Sequence, residues 1–209
     1  MEGDLAGQAP LWSAVGKLYD RDEVVAAHAM ALELGMGEGA FHLSFYRSVE
    51  AEALSRKESR VVRLAPWLEF EYLPHEMRGF REFSGSALAT GDLAAERLGW
   101  EPSVPTGIAV LADEADMPWA SNPHGYHSAR EPYDKICLPA YLQDDLLEFR
   151  QAVAHEYAHV ITHALTEGRA PRWLSEAVSV LAERVFDPAA MRSLRDGAWL
   201  ARGRLEAGF

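Results

Sequence analysis

The residues most able to do chemistry lie between Gln151 and Glu176, in QAVAHEYAHVITHALTEGRAPRWLSE. His155 and His159 stand four apart, with Glu156 beside the first and Glu176 seventeen positions after the second. On a helix, residues four apart fall about 40° from one another and roughly 6 Å along the axis. Two imidazoles so placed can converge on one tetrahedral zinc ion. Glu156 faces the same side but lies too close along the chain to share the ion, so it is placed to hold a water there. His163 is about 12 Å along the axis from His155; it cannot replace His155 in a chelating pair and is read as a packing or hydrogen-bonding residue. Glu176 can face back across a short connection as a third ligand. Two His and one Glu leave a fourth position for water, which is the arrangement of a catalytic rather than a structural zinc. Such an ion lowers the pKa of water to about 7, within reach of a carboxylate base.

The pattern around the motif predicts what positions it. Asp144 can cap a helix running to about Thr166, with Gly168 as its stop signal. Leu146, Phe149, Val153, Tyr157, Val160, Ile161 and Ala164 form a wide apolar stripe on it, as a central helix requires. Pro171 opens a second helix, WLSEAVSVLAERVF, which Asp187-Pro188 ends, and a short helix from Pro188 to about Arg204 closes the chain. Upstream, WLEFEYL alternates, with Leu68, Phe70 and Tyr72 on one face and Glu69 and Glu71 on the other, as in a half-buried strand over 67–73. A helix is expected over 79–99, less firmly for Gly85 and Gly91, then a buried strand over 106–112 and a brief edge strand over 134–138. The long polar loop 113–133 carries His124, Tyr126, His127 and Tyr133. Loops of that length line a binding site or are mobile.

Residues 11–57 read as helices. Asp20 or Asp22 can cap one that carries Val24, Val25, Ala31 and Leu32 and stops at Gly35; Phe41, Phe45, Val49 and Ala53 mark the next. This helical hairpin reads as a packing or partner surface. The charged stretch SRKESR, 55–60, is the expected boundary between an N-terminal helical extension, 1–60, and a second domain, 61–209.

Composition narrows the classes further. The chain has 209 residues, 48% hydrophobic and 25% charged, and a net charge of -12. It can bury a real core, and its acidity argues against nucleic acid or an anionic membrane as partner. Cys137 is the single cysteine, which fits a reducing compartment and leaves no internal disulfide; nothing near it marks an activated thiol. The N-terminus lacks the apolar run of a signal peptide, and no segment approaches the ~18 apolar residues of a membrane span. The expected location is cytoplasmic.

At HEYAH and Pro171-Arg172-Trp173-Leu174-Ser175-Glu176-Ala177 the sequence resembles the gluzincin zinc metallopeptidases, in particular peptidase-MA-like families with HELxH and P-x-WLSEG segments. The resemblance covers roughly 61–186 and extends to the order of strands and helices. It does not fit the metzincins, which have Gly and His where Thr162 and Leu165 stand. It implies an α+β, zincin-like fold with a small mixed sheet, zinc on His155, His159 and Glu176, and Glu156 as general base. It also implies an extended peptide or protein substrate paired with the edge strand near Ile136 to Leu138. Val180 stands where thermolysin-like members have an Asp supporting a ligand histidine, which leaves Ser179 or Glu183 for that task. The segment after Ala177 has neither Tyr nor His, so oxyanion stabilisation falls to His124, Tyr126, His127 or Tyr133, or to one of Arg184, Arg192, Arg195, Arg202 and Arg204.

The function these features predict is hydrolysis of peptide bonds by zinc-activated water. The rival expectation is a zinc-binding domain of weak activity that works through interactions, with the helical hairpin as its surface. A third, a metal-free helical adaptor, fails if the protein carries about one zinc per chain.

Overall fold

The structure, a computed structural model, describes residues 5–35, 43–103, 105–111, 125–130 and 133–184. Among them, six α-helices surround one mixed five-stranded sheet, an arrangement compatible with the α+β expectation. Strands β1 (Arg60–Ala65), β2 (Leu68–Tyr72), β3 (Thr106–Leu111), β4 (Tyr126–Ser128) and β5 (Asp134–Pro139) lie in the order β1-β2-β3-β5-β4. The three central strands are parallel, and β1 and β4 run antiparallel at the two ends.

Strand β5 is therefore internal, held by β3 on one side and β4 on the other. Its expected place at the edge is corrected. The short strand β4, hidden in what reads as a loop, takes the edge among the described residues. Three polar residues give no alternation to detect. Strand β1 also escapes a reading of the sequence, because its charged, partly exposed residues do not alternate cleanly.

The sheet buries both faces. Leu68, Phe70, Ile108, Val110, Ile136 and Leu138 face helices α4 (Phe80–Leu98) and α5 (Leu146–Thr166), packing against Phe83, Phe149, Val153, Tyr157 and Ile161. Helix α4 tolerates Gly91 because Trp67 lies over it: a Cβ there would sit 2.8 Å from the indole ring. Helix α5 is capped by Asp145, not Asp144; the Asp145 carboxylate accepts from the Leu147 and Glu148 backbone N–H groups, while Asp144 ends a 3-10 turn. Helix α6 (Arg172–Glu183) follows after a short connection and packs along α5. The expected stop at Asp187-Pro188 and the helix over 188–204 lie outside the described residues.

Helices α1 (Leu5–Asp20), α2 (Val24–Glu33) and α3 (Leu43–Glu58) pack on one another through Val15, Tyr19, Val24, Ala27, Ala31, Tyr46 and Val49. The expected hairpin is thus three helices, with Phe41 outside the described residues. Neither Asp20 nor Asp22 caps α2, whose first residues have no side-chain cap. Val25 and Leu32, expected in its apolar stripe, are 43% and 57% exposed.

Asp22 instead turns inward, at φ 57, into a buried cluster of three acids and three bases. Arg130 reaches Asp22 at 2.6 Å and Glu52 at 2.7 Å. Lys135 lies 3.2 Å from both and 3.5 Å from Glu71, and Arg56 pairs with Asp22 at 2.6 Å and Glu71 at 2.9 Å. The acidic face of β2 is consequently not a solvent face: Glu71 is buried. Balanced pairing is what makes such burial tolerable, since a charge left alone there would cost several kcal/mol. Among the described residues no helix is long and apolar enough to cross a membrane.

Candidate metal centre

The stripe that buries α5 leaves His155, Glu156 and His159 on the side that meets α6 and β4. His155 and Glu156 are buried and His159 nearly so. The two Nε2 atoms point at each other, 3.2 Å apart. Glu176, one turn into α6, brings Oε2 to 3.6 Å from the first and 3.7 Å from the second. Among the described residues these are the ones brought together with metal-ligating geometry. A tetrahedral ion with bonds of about 2.0–2.1 Å separates its ligand atoms by roughly 3.4 Å, so the three atoms already have nearly the right spacing.

The outward nitrogens explain why the inner ones face each other. Nδ1 of His159 lies 2.7 Å from Ser175 Oγ, and Nδ1 of His155 lies 3.6 Å from Glu183. An imidazole that donates through Nδ1 presents a bare lone pair at Nε2. At 3.2 Å one Nε2–H can donate to the other ring; with both protons on Nδ1, a cation can lie between the two lone pairs. The donor set of two imidazoles and a carboxylate fits zinc.

Ser175, Glu176, Ser179 and Glu183 turn toward α5, while Trp173, Leu174 and Leu181 are 61%, 36% and 44% exposed. Of the two residues expected to support a ligand histidine, Glu183 is the one near a ring, 3.6 Å from His155 Nδ1. Ser179 Oγ is buried without a hydrogen-bond partner. Ser175 stands likewise beside His159 Nδ1, and nothing in its sequence context except its place in WLSE points to it.

The electrostatics follow from burial. Burial pushes the Glu156 carboxyl up to about 7; Glu176 and Glu183 add to the rise, against His155 and a hydrogen bond from the His127 backbone. Burial and the adjacent His155 hold His159 down at about 4. Burial also works to lower His155, but the bond to Glu183 and the nearby Glu156 and Glu176 outweigh it and raise the group.

The expected oxyanion residues separate into two sets. Tyr126 and Tyr133 give their hydroxyls to Glu52 and Asp22, on the far face of the sheet. His124 and Arg192 to Arg204 lie outside the described residues. Arg184 follows the end of α6 and is exposed. His127 is on the metal side: its ring is stacked on His159 with centroids 6.4 Å apart, and its Nε2 is 3.1 Å from Asp134. Asp134 was not foreseen as part of the site, because it opens a strand far from the motif in sequence. His163 is 43% exposed and 3.9 Å from Asp134. No family model, curated protein or solved structure matches the chain.

Proposed function

We propose that the protein is a zinc-dependent peptidase of gluzincin type, with a zincin-like fold, acting on peptide or protein substrates. The observation that carries this reading is the pair of Nε2 atoms 3.2 Å apart with Glu176 closing the triangle, each imidazole fixed from behind by Ser175 or Glu183. His155, His159 and Glu176 hold the ion. Bound there, zinc supplies a Lewis acid that makes water acidic near neutral pH.

The remaining work belongs to the chain. Glu156 is buried, next in the chain to His155. With its carboxyl pushed toward 7, Glu156 can accept a proton from the attacking water and return it to the leaving amine. His127, oriented by Asp134, is the described side chain best placed to donate toward an oxygen developing charge beside the ligands.

The test is Glu156→Gln assayed against a peptide library, with zinc measured on the same samples. Wild type should carry about one zinc per chain and cleave peptides; the variant should keep the zinc and lose at least about 1,000-fold in kcat. Wild type and variant equally inert, both with zinc, would favour the interaction module instead. Wild type without zinc removes both readings.

A further inference from the structure

We propose that Tyr126 and Arg130 are positioning residues for His127, clamping β4 to the N-terminal helices so that the His127 ring stays beside His159 and Asp134; this rests on the role given to His127 above.

Alternation along β4 sends its side chains in opposite directions. Tyr126 and Ser128 face α1–α3, while His127 faces α5. The Tyr126 hydroxyl donates to Glu52 at 2.6 Å, and its ring packs on Ala109, Leu111 and Cys137. Ser128 Oγ accepts from Arg130 Nε at 3.3 Å. The guanidinium of Arg130, wholly buried, continues to Asp22 and Glu52 and lies 4.1 Å over the Tyr19 ring. Each side of His127 is therefore tied to helices from the other end of the chain.

Such ties matter because β4 is three residues long and pairs on one side alone, with β5. A strand this short at a sheet edge opens readily unless something else holds it. Arg130 supplies the constraint: moving β4 away would strand a buried cation, a position of high free energy. The same displacement would withdraw the His127 ring from His159 and from Asp134. A cluster that reads as mere packing of an N-terminal extension thus sets the position of His127.

Two conservative variants separate positioning from general stability. Tyr19 and Tyr126 both donate to the same Glu52 oxygen, but only Tyr126 lies on β4. In the metal-loaded full chain, Tyr19→Phe and Tyr126→Phe should lower the unfolding midpoint comparably and leave zinc content unchanged. Native-state amide exchange over 125–130, referenced to β3, should rise at least about tenfold in Tyr126→Phe, as expected for loss of a hydrogen bond to a charged acceptor. It should stay at the wild-type rate in Tyr19→Phe. kcat should fall about tenfold in Tyr126→Phe with KM unchanged, and stay near wild type in Tyr19→Phe. Equal exchange over 125–130 in the two variants, or unaltered exchange in Tyr126→Phe, overturns the clamp. If no form cleaves any peptide, the peptidase reading falls, while the exchange measurement still decides the clamp.

Discussion

At the residue scale the centre depends on tautomers as much as on ligand identity. In the proposed centre each Nε2 can serve an ion only while the ring's proton stays on Nδ1, and Ser175 and Glu183 are the groups beside the two Nδ1 atoms. Removing such support orients the ring less well without removing a ligand, which typically weakens metal affinity by about 10–100-fold. Ser175→Ala should therefore raise the zinc dissociation constant by roughly tenfold or more in competition with a chromophoric chelator. Ser179→Ala, one turn further along α6 and without a hydrogen bond to lose, should leave it unchanged. Equal affinities for wild type and Ser175→Ala would mean that the serine only packs against the ring.

At the element scale the most exacting position is Gly125, where the chain enters β4. Its φ is 132, and a Cβ would meet the Cys137 carbonyl oxygen and Leu138 Cδ2, both at 2.7 Å. The contact on the oxygen is with backbone, so it cannot be relieved by a rotamer change. Gly125→Ala should cost on the order of 3 kcal/mol in urea unfolding, from backbone strain and overpacking together. A cost below about 0.5 kcal/mol would show that β4 relocates freely. The elements that sequence makes legible are those with a strong local period. Helix α5 carries its stripe from Phe149 to Ile161, and β2 and β3 show their apolar faces. What is illegible depends on partners far along the chain. Glu71 looks solvent-facing in WLEFEYL, yet Lys135 and Arg56 bury it. Asp22 looks like a helix cap but is claimed by Arg130. Strand β4 has too few residues to show any period, and without it β5 looks like an edge. The proposed ligand set needs no such distant knowledge. It lies on two consecutive helices joined by a short turn.

At the scale of the whole molecule, the cluster beneath the sheet couples the N-terminal helices to everything else, and its charge state sets an acid limit. Burial alone would raise the Glu52 carboxyl, but Lys135 and Arg130 outweigh it and hold the group at about 2. Asp22 moves in the same direction, against its own burial, through Lys135, Tyr133, Arg56 and Arg130. A carboxylate whose folded pKa lies below its unfolded value of about 4.3 stabilises the fold above the unfolded value. That stability is lost as pH falls toward the folded one. For Glu52 the contribution at neutral pH is about 3 kcal/mol, and most of its loss falls between about pH 5 and pH 2. His159, held at about 4, adds a loss of the same sign that begins near pH 6.5. The metal-free His159→Gln chain isolates the cluster from both the histidine and zinc release. Its urea midpoint should fall steeply between pH 5 and pH 3, and less steeply with Tyr126→Phe, which removes one of the hydrogen bonds that hold the Glu52 carboxyl down. A flat midpoint across that window would mean that Glu52 and Asp22 keep their protons at ordinary carboxylate pH in the folded chain. The three acids and three bases would then not form the balanced, ionised cluster that holds the helical layer to the sheet.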